Sequence, residues 1–438
     1  MFRLRSVAGM LEDLKHSSRA LLKNPGFAIV AVLVLALGIG ANSAIFSVVN
    51  AALLRPLPFR NATQLVQVWH VPPAKTFPGV TKFAVSPANY LDWVHENHVF
   101  EKAAIYTYGN FDFSAGDRSE SVLAGVVEST FFSVYGVRPI LGRGFLPEDD
   151  QAGHSDVVVL GYDFWRTQFG SNPKIVGQRI ILSDAAYTVV GVIEPGFRRP
   201  DRTKIWTPLA WTKKERAIRG NHNYFVVARL RPGVSLKQAQ TNMNVTSARL
   251  QQAYPEDDKG WGAVVVPLRE EMVGDVRPAL LVLLGAVAFV LLIACANISN
   301  LVLARTMARR KEMAIRAALG ASRGRILQHV LAEAVTLSLI GGALGLVIAA
   351  RGVAFLSMVL AGKLPQSIEI RLDGWVLGFT LVISILTGIL AGLLPGWRFS
   401  QINLENALRQ GLGKTDSDSG GQRSLSALVI SEIIIKGS

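Results

Sequence analysis

Two strings near the end of the 438-residue chain carry the residue types that grip nucleotide phosphates. Gly413-Lys414-Thr415 reads like the end of a phosphate-binding loop, in which backbone amides cradle the phosphates, the lysine reaches them and the hydroxyl meets a magnesium ion. That loop needs a glycine five residues before Gly413; Leu408 stands there, and no strand precedes it. Ser419-Gly420-Gly421-Gln422 has the composition of a second nucleotide-contacting turn, yet it adjoins the first string instead of following a large folded segment. Gly411 to Gly421 therefore reads as a Gly/Ser/Asp linker. His95 and His98 are an i, i+3 pair on a possible helix, the only metal-like spacing among the seven histidines, and ordinary surface positions explain them better. No Ser/His/Asp grouping stands out. The chain is expected to have no catalytic, cofactor-binding or metal-binding residues of its own and to be no enzyme.

One further string combines charge and shape. Arg309-Arg310-Lys311-Glu312-Met313-Ala314-Ile315-Arg316-Ala317-Ala318-Leu319-Gly320-Ala321-Ser322 reads as a short helix with Glu312 and Arg316 at i, i+4, a stop at Gly320 and a new N-cap at Ser322. Its arginines could rest on anionic lipid headgroups, and its apolar row of Met313 and Ala317 could equally dock in a groove on a partner protein. Physical chemistry alone leaves both open.

The elements that must position this string are membrane helices. Half of the chain is hydrophobic and the mean hydropathy is +0.31, high for a soluble protein. Four apolar runs are long enough to span a bilayer, at 27–54, 278–304, 328–350 and 374–397. The first is too long for the core of a secretory signal and lacks a small-residue cleavage site, so it is expected to remain as an anchor. The net charge of +14 is concentrated beside these runs: 55–277 holds 26 basic against 22 acidic residues, and the remaining 20 basic face only 10 acidic. This is the bias of a membrane protein toward its cytoplasmic loops, and it argues against nucleic acid as a partner. Arg3, Arg5, Lys15, Arg19 and Lys23 precede the first run. Arg305, Arg309, Arg310, Lys311, Arg316, Arg323 and Arg325 lie between the second and third, and Arg398, Arg409, Lys414 and Arg423 follow the fourth. All three segments can be cytoplasmic if 55–277 is translocated and 351–373 is a short outer connection. The domain order is then an N-terminal amphipathic segment (1–26), the first span, the outer domain, the second span, the 305–327 string, two further spans joined outside, and a cytoplasmic tail (398–438).

Within the spans, Gly341 pairs with Gly345 and Gly388 with Gly392 at four-residue spacing. Such pairs permit close helix packing and suit a dimer interface, although glycine is also common in membrane helices generally. Glu333 is expected near the cytoplasmic edge and Arg351 near the other, so no proton relay crosses the bilayer centre. The outer segment alternates apolar and polar residues between Gly, Pro, Asn and Asp. Strands are expected at 156–160, 187–193 and 224–230, and helices at 163–169 and 236–254, the latter opened by Ser235 with Met243, Val245 and Leu250 as its apolar face. The fold class is thus an α-helical integral membrane protein with four transmembrane helices and an inserted α+β outer domain, with no parallel βαβ pattern visible.

The string Lys311-Glu312-Met313-Ala314-Ile315-Arg316-Ala317-Ala318-Leu319-Gly320-Ala321-Ser322 resembles the coupling segment of MacB- and FtsX-like ABC transporter permeases. Lys23-Asn24-Pro25-Gly26-Phe27, Ala36-Leu37-Gly38-Ile39-Gly40-Ala41-Asn42 and Leu54-Arg55-Pro56-Leu57-Pro58 are similar to the branch called duplicated orphan permeases. Phe164-Trp165, Val176-Gly177, Val190-Gly191-Val192, Pro195-Gly196-Phe197 and Trp206-Thr207-Pro208-Leu209 resemble a MacB-type periplasmic core domain. The resemblance implies a permease of the bacterial inner membrane that works as a homodimer or with a second permease half. ATP would be bound by an ABC ATPase subunit in trans, which would dock on Glu312, Ala314, Ile315, Arg316, Leu319 and Gly320 and move the periplasmic domain. Export or extraction of a substrate, in some members through a periplasmic adaptor, is one implied role; switching a periplasmic partner such as a cell-wall hydrolase is the alternative. Duplicated members carry two copies of the four-span unit. Here an apolar run of about a dozen residues from Ser424 to Ile435 is too short to span, so the chain is expected to break off inside a second copy, a short amphiphilic tail being the other reading.

Overall fold

The computed structural model describes residues 25–115, 118–274, 276–308, 323–359 and 370–400. Four of its helices are long and apolar enough to cross a membrane: Pro25–Leu54, Arg277–Arg305, Val330–Leu356 and Gly374–Leu393. In chain order the named elements are helix α1 (Pro25–Val49, prolonged by a π turn at Asn50–Leu54), strand β1 (Leu65–Val71), α2 (Pro87–Glu96), β2 (Phe100–Ala115), β3 (Arg118–Val127), α3 (Phe131–Tyr135), β4 (Pro139–Gly142), β5 (Val157–Leu160), α4 (Tyr162–Phe169), β6 (Arg179–Leu182), β7 (Ala185–Ile193), β8 (Ile205–Pro208), α5 (Lys213–Arg216), β9 (Phe225–Leu230), α6 (Leu236–Ala253), β10 (Gly262–Pro267), α7 (Leu268–Val273), α8 (Arg277–Ala308), α9 (Arg323–Val359) and α10 (Gly374–Ser400).

The described chain forms two compact units. The membrane unit holds the first part of α1 with most of α8, α9 and α10. Its helices exceed the spans expected from hydropathy. At 1.5 Å per residue the 37-residue α9 is roughly 55 Å long, well beyond a hydrocarbon core of about 30 Å. Arg351 lies inside this helix, and the outer connection expected from 351 is still helical at Val359. Hydropathy marks where lipid contact ends, and a helix continues past that point as long as its propensity allows.

The outer unit, 45–285 with 352–373, is built on one ten-stranded mixed sheet in the order β10-β1-β9-β2-β3-β8-β5-β7-β4, with β6 bridging β2 and β7. The central strands are covered on both faces. Val66, Val68, Val226, Ala228 and Leu230 pack beneath α2 and α6 through Tyr90, Trp93, Met243 and Leu250. Leu65 and Val227 face the opposite core of Phe131, Tyr135, Phe197 and Trp206. Both long helices start on sequence signals: Ser86 accepts from the Asn89 amide, and Ser235 forms a capping box with Gln238. Met243 and Leu250 are buried as the sequence suggests, whereas Val245 is 56 % exposed and belongs to the outward face of α6. The sheet also has two parallel pairings, β3 with β8 and β5 with β7. This corrects the expectation that the domain has no parallel βαβ pattern. The crossover from β5 to β7 contains the two-turn helix α4 and a hairpin strand, too little helix for periodicity to reveal.

Candidate functional site: the core of the membrane unit

Helix α1 enters the bundle with a glycine, an asparagine and a serine in sequence, and each meets a different neighbour. At Gly40 the backbone abuts α9: a Cβ there would lie 2.8 Å from the carbonyl oxygen of Gly345, and one at Gly345 would lie 3.0 Å from the Gly40 nitrogen. Two residues on, Asn42 Nδ2 donates both to the Gly38 carbonyl at 2.9 Å and to the Val287 carbonyl of α8 at 2.8 Å. Ser43 and Thr380 of α10 share a hydroxyl hydrogen bond at 2.8 Å. In a medium where apolar surfaces gain nothing by pairing, close backbone approach and interhelical hydrogen bonds are the available glue. The Gly40-Ala41-Asn42-Ser43 stretch uses both.

The other sequence-marked glycines act the same way. A Cβ on Gly341 would meet Leu35 Cβ at 2.7 Å, one on Gly388 would meet the Val335 Cα at 2.6 Å, and one on Gly392 would meet Ala334 Cβ at 3.0 Å. Helices of the same chain fill these notches, α1 against α9 and α9 against α10. Ser299 Oγ adds a bond to the Ala391 carbonyl, from α8 to α10. Around these contacts Leu35, Ile39, Leu291, Cys295, Ile298 and Leu337 form a buried apolar core.

An ion pair stands close to the ends of α8 and α9. Arg305 and Glu333 lie 2.6 Å apart, with side chains only 10 % and 12 % exposed, and the Arg305 guanidinium sits 4.7 Å over the ring of Phe27 of α1. Three helices are thereby joined just before and after the 309–322 string. Charges this sheltered persist only when paired and hydrogen-bonded. Sequence reading assigned Arg305 to the cytoplasmic charge bias and Glu333 to the bilayer edge, and it missed their pairing. Opposite charges 28 positions apart on separate helices leave no local signal.

The six coupling positions, Glu312, Ala314, Ile315, Arg316, Leu319 and Gly320, lie outside the described residues, as do the Ser322 cap and the Gly413 and Ser419 strings. Among the described residues no group of histidines, cysteines or carboxylates could hold a metal ion. His95 lies in the last turn of α2 and His98 beyond its end at Glu96, both exposed, so the two share no helical face.

In the outer unit the densest polar cluster joins Asn89, Asp92, Asp258 and Arg219. Arg219 bonds Asp92 at 2.6 Å and Asp258 at 3.3 Å and lies 3.4 Å from the centroid of the Tyr254 ring. Burial raises the Asp258 pKa, partly offset by the Asn89 amide and by Arg219. Beside it His70 is buried against Trp93, Trp261 and His222, its Nδ1 without a hydrogen-bond partner among the described residues. Burial, and then the neighbouring His222, lower its pKa to about 3. These groups brace α2 and the loop after α6 against the sheet and resemble no reaction centre.

Comparison with known proteins agrees with this architecture. Residues 28–245 match the MacB-like periplasmic core domain, and residues 284–404 match the FtsX-like permease C-terminal domain. Two relatives named macrolide export ATP-binding/permease protein MacB align over about two thirds of the chain: that of Salmonella typhi is 27 % identical over 69 % of this chain, and that of Burkholderia thailandensis 26 % identical over 70 %. The chain spans less than half the length of these relatives, 44 % and 45 %. Among solved structures, a domain of a permease protein from Porphyromonas gingivalis aligns with a TM-score of 0.38 at 19 % identity, covering 48 % of this chain and 91 % of that one. The periplasmic region of MacB from Actinobacillus actinomycetemcomitans aligns with a TM-score of 0.34 at 16 % identity, covering 46 % and 89 %. With a permease-type core domain and a permease-type C-terminal domain matched in order around four membrane-length helices, the chain belongs to the MacB/FtsX-like family of ABC transporter permeases.

Proposed function

We propose that this chain is the membrane-embedded permease of an ATP-driven transporter, relaying motion from a partner ATPase to its periplasmic domain for export or extraction of a substrate. The observation that carries this reading is the position of the 309–322 string between α8 and α9, the two helices clamped by Arg305 and Glu333. A push on that string reaches two helices at once. In this reading ATP is bound by the ATPase, which contacts Glu312, Ala314, Ile315, Arg316, Leu319 and Gly320. The permease pairs with a second permease half, in one chain or as a homodimer, and the protein sits in the bacterial inner membrane with 55–277 in the periplasm. The division into duplicated halves follows the N-terminal motifs around Pro25 and Pro56.

The test is co-purification with the cognate ATPase. Glu312→Lys places a wrong charge in an ordered interface, where like-charge contact costs several kcal/mol. On a lipid surface the same change would strengthen binding, by about 1 kcal/mol per basic residue. Gly320→Val disturbs the helix stop that aims the segment. Both variants are expected to insert normally and to lose the ATPase. Undiminished co-purification of both would return the segment to a lipid-surface role.

A further inference from the structure

Helix α9 turns one long row of its surface away from the bundle. Leu337 and Ala349 are buried, and Gly341 and Gly345 meet α1. On the exposed side lie Leu344, Val347, Arg351, Phe355 and Met358. Steps of three and four residues keep these five in one row along the helix. Every member but Arg351 is apolar, and Arg351 stands in the middle, within a span whose apolar length runs from Val330 to Leu356. Its side chain makes no ion pair or hydrogen bond among the described residues. The four membrane-length helices carry one carboxylate between them, Glu333, and Arg305 takes it. Neither a neighbouring span nor the spans of a second copy can therefore neutralise Arg351, and a second copy of this row would bring only another arginine. A guanidinium on a lipid-facing surface is costly unless it finds a counter-charge. Snorkelling lifts the charge toward water, yet Phe355 and Met358 continue the apolar row for about two more turns. The anion that a bilayer itself offers is the phosphate ester of its lipids.

We propose that this row of α9 is a binding site for a phospholipid, with Arg351 gripping the phosphodiester and an acyl chain lying along Leu344 and Val347. A guanidinium presents parallel N–H donors that match two oxygens of one phosphate. Phe355 and Met358 extend beyond the phosphate, so the bound lipid has protein surface on both sides of its headgroup. That arrangement distinguishes a held lipid from one that exchanges freely with the bilayer. The site requires that α9 crosses the membrane and does not rest on the transport reading.

The experiment is native mass spectrometry of the full chain in maltoside detergent, titrated with phosphatidylglycerol and, separately, with dioleoylglycerol, which has acyl chains but no phosphate. Saturable retention of phosphatidylglycerol is expected, weakened at least tenfold in Arg351→Met. Arg179→Gln removes the same charge from an exposed strand position of the outer unit and is expected to bind normally. Arg351→Met makes the row wholly apolar and is expected to insert as the parent does. Arg351→Lys keeps the charge without the fork, and its retention is expected to fall between the two. Added phosphatidylglycerol is also expected to raise the Tm of the parent and not that of Arg351→Met. Equal retention in the parent and Arg351→Met overturns the proposal, and so does retention of dioleoylglycerol as strong as that of phosphatidylglycerol. Loss of a dimer in Arg351→Met with lipid retention unchanged overturns it as well, and assigns the guanidinium to a carboxylate of a second chain.

Discussion

At the residue scale, two sheltered charge arrangements make separable predictions. The Arg305–Glu333 pair joins helices within the membrane unit, and removing one partner strands the other charge where water cannot reach it freely. Glu333→Ala is therefore expected to cost about 3–5 kcal/mol, whereas replacing both residues with methionine is expected to be nearly neutral, since a buried pair gains little over apolar packing. Thermal unfolding in detergent checks this, and equal losses in the single and double variants would assign the effect to packing alone. The second case is His70. Its pKa falls from the ordinary value near 6.5 to about 3 in the folded chain, through burial first and then His222. The unfolded chain thus binds more protons between these values, so stability is present above pH 6.5 and is lost as pH falls toward 3. A shift this size corresponds to a ceiling of roughly 5 kcal/mol. Asp258, across the small cavity from His70, has its pKa raised by burial, and Arg219 stays cationic throughout. His70→Phe keeps the ring volume and removes the titration. Tryptophan fluorescence melts of this variant between pH 7 and pH 4 are expected to show a shallower acid dependence than the parent.

At the element scale, the bundle depends on backbone contact at Gly40 and Gly345. A methyl group at Gly345 would press on the Ala36 carbonyl and the Gly40 nitrogen, both at 3.0 Å, and backbone cannot move aside as a side chain would. Gly345→Ala is expected to destabilise the membrane unit by about 1–3 kcal/mol, the ordinary range for overpacking. Gly378→Ala, with open space around it, is expected to be neutral. Comparable losses in the two would remove the packing argument. These elements also show how far the sequence could be read. Helix spans, the Ser235 cap, the strand at 185–193 and the apolar face at Met243 and Leu250 all follow from local pattern, because hydropathy, caps and alternation are properties of neighbouring residues. What escaped reading depends on distant partners: the parallel pairings of β3 and β5, and the Arg305–Glu333 pair. Asn42 and Ser43 interrupt an apolar run, but only the fold says which helix each of them, and Gly40, meets. The excess length of α9 was equally hidden, since residues past Arg351 remain helical after hydropathy falls.

At the scale of the whole molecule, orientation decides what every other feature can do. An ATPase can reach only the side of the membrane that holds ATP. The charge count predicts that the basic strings before α1, between α8 and α9, and after α10 lie on one side and 55–277 on the other. The outer unit is nearly balanced in charge, so nothing in it opposes translocation, whereas the seven basic residues between 305 and 325 face a single acid. A single-thiol experiment tests this with the native Cys295, buried in the membrane unit, as an unreactive background. Gln151, exposed in the loop between β4 and β5, makes no side-chain hydrogen bond or ion pair among the described residues and serves as the outer probe position. With a membrane-impermeant maleimide and a permeabilised outer membrane, Gln151→Cys is expected to label in intact cells. Ser322→Cys is expected to react only after the inner membrane is opened. Labelling of Ser322→Cys in intact cells would invert the topology and detach the 309–322 string from any cytoplasmic ATPase.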